Sequence, residues 1–168
     1  SLSQGVKVAP AFMTTGIISS PDGKVRASGI TVLGIDQRCF SFSQDTESVP
    51  DLTNYGFWAS PDLDLKLGTE VGSRWVLRVE EPSLFSRDAP LSGERDARFI
   101  SWNRPYFGEV KPAALGNFSL RASMEPSRTV FVPLSMLQQD MFETFTPNQD
   151  QTNFANLLLV SGLEQQIK

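Results

Sequence analysis

The run TVFVPLSMLQQDMFETF, residues 129–145, changes its hydrophobic period in mid-course. Residues 129–132 make a short apolar strand that ends at Pro133, whereas Leu134, Leu137, Met141 and Phe145 recur at the spacing of one helix face. A second apolar run, NLLLV at 156–160, follows and reads as a buried strand. Strand, helix and strand in that order predict a crossover unit that packs a helix on a sheet. The expected fold class is therefore α+β: a mixed β-sheet packed with a few helices, as one domain or two small subdomains sharing one core.

Towards the N-terminus, residues 6–13 form a short extended candidate broken at Pro10, and 16–19 form another before the turn signal Ser20-Pro21-Asp22-Gly23. A hairpin is expected, with residues 25–35 returning as a central strand buried on both faces in its second half. Residues 36–70 carry seven acidic against two basic side chains and several turn signals, so they read as loop with one short helix. That helix has Ser60 as N-cap, Pro61 in its first turn and Gly68 as its stop. Residues 75–79 alternate as a strand and 117–122 as another. Between them, Pro82, Pro90 and Pro105 with mixed charges predict a long irregular insertion at about 80–116, in which only 99–102 look strand-like. The last residues, 163–168, resemble the start of a helix. The chain lacks an initiator Met and a signal-peptide apolar region, so both ends read as continuing into a longer polypeptide.

Composition narrows the chemistry. The 168 residues are 40% hydrophobic and 20% charged, which suits a folded domain rather than a disordered chain. A net charge of −4 opposes binding to many phosphates, so nucleic acid is not an expected partner. With no histidine and one cysteine, Cys39, the usual catalytic triads, most zinc sites and any internal disulfide cannot be written. Cys39, between Arg38 and Phe40, reads as a small buried apolar residue. No apolar run reaches the roughly 18–20 residues a membrane-spanning helix needs.

The charged stretch Glu80, Glu81, Arg87, Asp88, Glu94, Arg95, Asp96 and Arg98 contains carboxylates that could serve as acid and base, but solvated loop charges explain it more simply. Asp62 and Asp64 fit a helix start better than a calcium loop. No glycine pattern for phosphate binding is present. Among the aromatic residues, WNRPYF at 102–107 lies in a proline-punctuated stretch, and Trp102, Arg104, Tyr106 and Phe107 are the candidates for contact with a partner or cargo. No catalytic, cofactor-binding or metal-ligating residue is assigned, no cofactor is expected, and the chain is not expected to be an enzyme.

Several stretches taken in order carry a resemblance. VLGIDQRCF (32–40), LGTEVGSRWVLRV (67–79), EPS (81–83) through RDAPLS (87–92), GNFSLRA (116–122), VFVPL (130–134) and ANLLLV (155–160) together resemble the extracytoplasmic, MacB-like periplasmic core domain of FtsX/MacB-family ABC transporter permeases. The resemblance spans roughly residues 5–162. It departs from the pattern at 42–58, which is acidic and aromatic where more regular structure is expected.

The resemblance implies one extracytoplasmic domain over 1–168, set between the first and second membrane helices of a bacterial cytoplasmic membrane protein. It further implies a cytoplasmic ATPase subunit, a second permease copy, and an envelope protein, lipoprotein or exported cargo as partners. The implied role is mechanical: ATP-driven motion reaches the domain through its two ends and changes what it holds. The competing expectation from the residues is a free-standing, secreted, β-rich binding module for carbohydrate or another ligand. A carboxylate-based enzyme would need two acidic groups brought together in a cleft.

Overall fold

The computed structural model describes residues 6–43, 45, 49–80, 99–118, 128–143 and 155–161. Its organising element is the thirteen-residue strand β1 (Lys7–Ser19), which turns through Ser20–Gly23 into β2 (Arg26–Ile35). The turn is the expected one: Ser20 N–H donates to the Val25 carbonyl and Gly23, at φ 72°, donates to Ser20. The remaining strands are β3 (Phe57–Ala59), β4 (Arg74–Glu80), β5 (Phe99–Glu109), β6 (Thr129–Pro133) and β7 (Leu157–Ser161). Two helices, α1 (Pro61–Leu67) and α2 (Leu134–Glu143), and two 3₁₀ turns, Gln37–Phe42 and Pro112–Ala114, complete the described chain.

The expected α+β layering is not what forms. Strands account for about half of the described residues, and six of them close into a barrel in the order β1–β2–β6–β3–β5–β4 and back to β1. Closure depends on β1 pairing on both edges: Gly16 lies opposite Ile30 of β2 and also opposite Val79 of β4. The pairs β2–β6 and β3–β5 are parallel, and the other ring pairs are antiparallel. The expected crossover fails because β6 is held between β2 and β3, while β7 lies outside the ring on β1, separated from β6 by two strands. β7 is also less buried than its sequence suggests, with Leu158 and Val160 exposed.

Two prolines expected to interrupt strands do not. Pro10 lies within β1, where residues 7–10 have β7 on one edge and no strand on the other among the described residues, so its missing N–H breaks no ladder. Pro105 lies within β5, opposite Arg74, and the strand runs through it to Glu109. The irregular insertion therefore loses residues 99–109 to the barrel. Of the strand expected at 117–122, residues 117 and 118 instead end a turn in which Phe118 N–H donates to the Leu115 carbonyl; its other residues, 81–98 and the terminal helix fall outside the described residues. In the acidic segment the short helix forms as expected, with Pro61 in its first turn and Gly68 left-handed at its end; the Ser60 hydroxyl, however, accepts from Thr129 N–H rather than capping the helix. The sequence reading missed β3.

Side-chain alternation divides the core in two. Phe12, Ile18, Ile30, Val32, Phe57, Trp75, Leu77, Trp102, Tyr106, Val130 and Val132 fill the barrel, and Leu63, Leu67, Met136, Leu137 and Met141 from the two helices join them. Outside the β1–β2–β6–β3 wall, Leu33, Ile35, Phe131 and Trp58 are covered by Cys39, Phe40, Leu52, Val110 and Ala114. Gly16 is needed where β1, already paired with β2, takes β4 on its other edge: a Cβ there would lie 2.8 Å from the Arg78 carbonyl oxygen and 2.8 Å from a Val32 methyl. Gly16→Ala should destabilise the fold by about 1–3 kcal/mol, as overpacking against backbone does. Urea titration would show this as a lower midpoint at unchanged slope, and an unchanged midpoint would mean that β1 is not gripped on both sides.

Candidate functional site

The groove with the clearest construction arises where two parallel strands end together. Ile35 of β2 lies opposite Pro133 of β6, and the chains then diverge, one into the 3₁₀ turn at Gln37 and the other directly into α2. Divergence after neighbouring parallel strands leaves a crevice outside their carboxyl ends, the place where open α/β sheets also put their ligands. Val8 and Pro10 of β1 with Ala155 and Leu158 beside them make a further wall, and Leu52 and Thr53 make another. The groove, open to solvent on one side, has a volume of about 520 Å³, within the range of small-ligand sites.

The walls are mainly apolar, and the polar groups stand at particular places. Asp36 caps the 3₁₀ turn by accepting from Arg38 N–H at 2.9 Å, and the same carboxylate takes the Arg38 guanidinium through Nε at 2.9 Å and Nη2 at 2.5 Å. The hydrogen bond and charge of Asp36 push the Arg38 pKa above its ordinary value. These two groups are the charged side chains of the lining, and each satisfies the other. Ser135 and Gln138 stand on the first turns of α2. Cys39 follows Arg38 but belongs to the outer core, where it is 1% exposed. Burial, followed by the negative charge of Asp36, raises its thiol to about 12, so it is a poor nucleophile at neutral pH. Among the described residues no three His, Cys, Asp or Glu side chains gather as a metal-binding group. The groove is equipped to hold an apolar segment with hydrogen-bonding tips.

None of the four residues expected to contact a partner lines this groove. Trp102 is 3% exposed, and its indole N–H donates to the carboxylate of Asp140 on α2. Tyr106 is 1% exposed, and its hydroxyl donates to Asp64 on α1. Both side chains fill the barrel and pin one helix each. Arg104 is half-buried on the same strand. Phe107 is half-buried on the outer side and packs on Trp58 with ring centroids 5.0 Å apart. The aromatic pattern was real, but its period-2 alternation signals a barrel strand. The groove was marked instead by two apolar strands each ending at a helix start, IDQR and VPLS, a signal visible only once those strands are neighbours.

The sequence matches no protein-family model and no curated protein, so the site is argued from its geometry.

Tyr106→Phe should lose roughly 1–2 kcal/mol in thermal or chemical denaturation, the worth of a hydrogen bond to a charged group shared with solvent. Arg104→Ala should stay within about 0.5 kcal/mol of the parent. Because the folded thiol of Cys39 titrates above its unfolded value of 9.0, its contribution to stability is complete below about pH 9 and drains away as pH rises towards 12. Iodoacetamide at pH 8 should therefore leave the native chain unmodified and alkylate it once unfolded; prompt native alkylation would contradict the burial.

Proposed function

We propose that the chain is the non-catalytic extracytoplasmic domain of an FtsX/MacB-like ABC transporter permease, which relays ATP-driven motion to cargo or a partner protein in the bacterial envelope. The observation that carries this reading is the antiparallel pairing of Lys7 with Ser161, the first and last residues of the described strands. A domain set between two membrane helices must receive and return its chain at one place. Here both ends leave side by side from a two-stranded ribbon that lies outside the six-stranded ring.

The stretches that carry the resemblance support the reading from a second direction. Four of them fall on β2 with its 3₁₀ turn, on the end of α1 with β4, on the β6–α2 junction and on β7; 81–92 and most of 116–122 lie outside the described residues. The first, third and fourth of these supply walls of the groove. In this reading a cytoplasmic ATPase drives the membrane helices, a second permease copy completes the transporter, and the groove takes an apolar part of a lipoprotein, exported cargo or envelope partner. No helix among the described residues is long and apolar enough to cross a membrane, so the spans would come from flanking sequence. The groove would equally serve a free-standing secreted binding module, and the two readings part on membrane attachment.

Topology labelling of the complete gene product tests this directly. Leu65 on α1 is 82% exposed, so Leu65→Cys, with Cys39 and any cysteine of the flanking sequence replaced by Ala, offers one accessible thiol. A membrane-impermeant maleimide should label it in intact cells to within about twofold of lysed cells, and the labelled protein should sediment with membranes. Labelling only after lysis would overturn the extracytoplasmic placement. Labelled protein free of membranes would overturn the permease and favour the secreted module.

A further inference from the structure

We infer that the β1–β7 ribbon is a tension-released wall of the groove: separating the two chain ends unzips it, dismantling the site while the barrel stays closed. The inference rests on the permease reading for the source of tension; the geometry stands without it. Lys7 and Ser161 are partners at the same end of an antiparallel pair, so force applied through the two ends loads one residue pair at a time from the tip inward. Behind the tip no strand shares that load, and the other hold on the tip residue is the Lys7 ammonium, which donates to the Ser41 carbonyl at 2.5 Å. Residues 7–10 of β1 have no register partner in β2, whose pairing begins at Ala11 opposite Ile35. The ring closes through β1–β2 and β1–β4 without β7.

Resistance to peeling is unequal on the two faces of the ribbon. On the outer face Val8, Leu158 and Val160 are 45%, 61% and 42% exposed, so separating them forfeits little burial. On the inner face the small Ala9 and Ala11 are fully buried, and the half-buried Leu157 and Leu159 opposite them pack on the outer core, so this face supplies most of what holds the ribbon shut. The peel has a defined stop. Beyond the ladder, the Asn156 side chain replaces a strand: its Oδ1 accepts from Met13 N–H and its Nδ2 donates to Met13 O, both at 2.7 Å. Past that clamp β1 is gripped by β2, and from Gly16 by β4 as well. Val8, Pro10 and Leu158, which lie within the peeled segment, are groove lining. Unzipping thus takes down a wall while the ends of β2 and β6 keep their places.

The ribbon also provides its own lock. Pro10 cannot donate, so Pro10 and Leu158 form a non-hydrogen-bonded pair, and by alternation Val8 and Val160 form another. Such pairs have Cα atoms roughly 4.5 Å apart, close enough for a disulfide. The experiment is optical-tweezers pulling of the 168-residue chain through its first and last residues, comparing Cys39→Ala with Cys39→Ala/Val8→Cys/Val160→Cys. The parent should show an early, reversible, low-force extension of roughly 30 Å before the barrel ruptures. The oxidised variant should lack that step, and reductant should restore it. In unloaded chains, the amide protons of residues 9 and 159, the hydrogen-bonded pair between those two, should exchange at least tenfold faster than those of residues 18 and 77, and oxidation should remove the difference. A single all-or-none rupture, or an early step that survives oxidation, would overturn the ribbon. The outcome is separable from the topology test: a membrane-anchored protein that ruptures in one step refutes the ribbon alone, and a chain that unzips but is never membrane-attached refutes the permease alone.

Discussion

The structure depends on one strand being used on both of its edges. An open six-stranded sheet would leave two unpaired borders, a standing invitation to pair with other chains, and closure removes them. β1 achieves closure because it is long enough to serve different partners along its length: β7 at its start, β2 from its middle onward and β4 at its end. Gly16, where the Arg78 backbone comes too close for any side chain, lets the second edge dock. The large rings of Phe57, Trp75, Trp102 and Tyr106 then fill the interior. Burying an indole or phenol leaves a polar atom that needs a partner. Three rings find one: Trp75 in the Thr69 hydroxyl at 3.1 Å, Trp102 in Asp140 and Tyr106 in Asp64. The last two acids come from the two helices, so satisfying the core also fixes what caps it.

The same arrangement positions the groove and the ribbon. Holding β6 beside β2 in parallel brings two strand ends together, and the helix starts that follow cannot fill the space between them. Because β7 lies outside the ring, it can form a wall without being needed for the barrel interior. A rigid barrel with one detachable edge is a physical way to make the content of a site depend on the distance between two chain ends. That dependence is what a domain suspended between moving membrane helices would use.

Local chemistry was legible in the sequence wherever a residue's behaviour depends on its neighbours in the chain. The Ser20–Gly23 turn, α1 between Pro61 and Gly68, the period change at Pro133 and the inert surroundings of Cys39 all read correctly, because each rests on backbone preference or local polarity. Partnership between distant strands was not legible. Nothing in TVFVP says that it lies between FWA and TVLGI, and the crossover expected from strand–helix–strand order failed on that point. Pro10 and Pro105 read as breaks because proline removes a donor, yet the structure puts Pro10 where no donor is used. Trp102 and Tyr106 read as surface candidates because the proline between them suggested a loop. As part of a strand, the same two positions face inward.

The most direct test is a set of cross-strand nuclear Overhauser contacts from β1. The account predicts that backbone protons of Ile18 contact both Ala27 of β2 and Leu77 of β4, while those of Val8 contact Val160 of β7. Contacts from Ile18 to one side only would mean that the sheet is open, and an absent Val8–Val160 contact would mean that the two chain ends do not leave together.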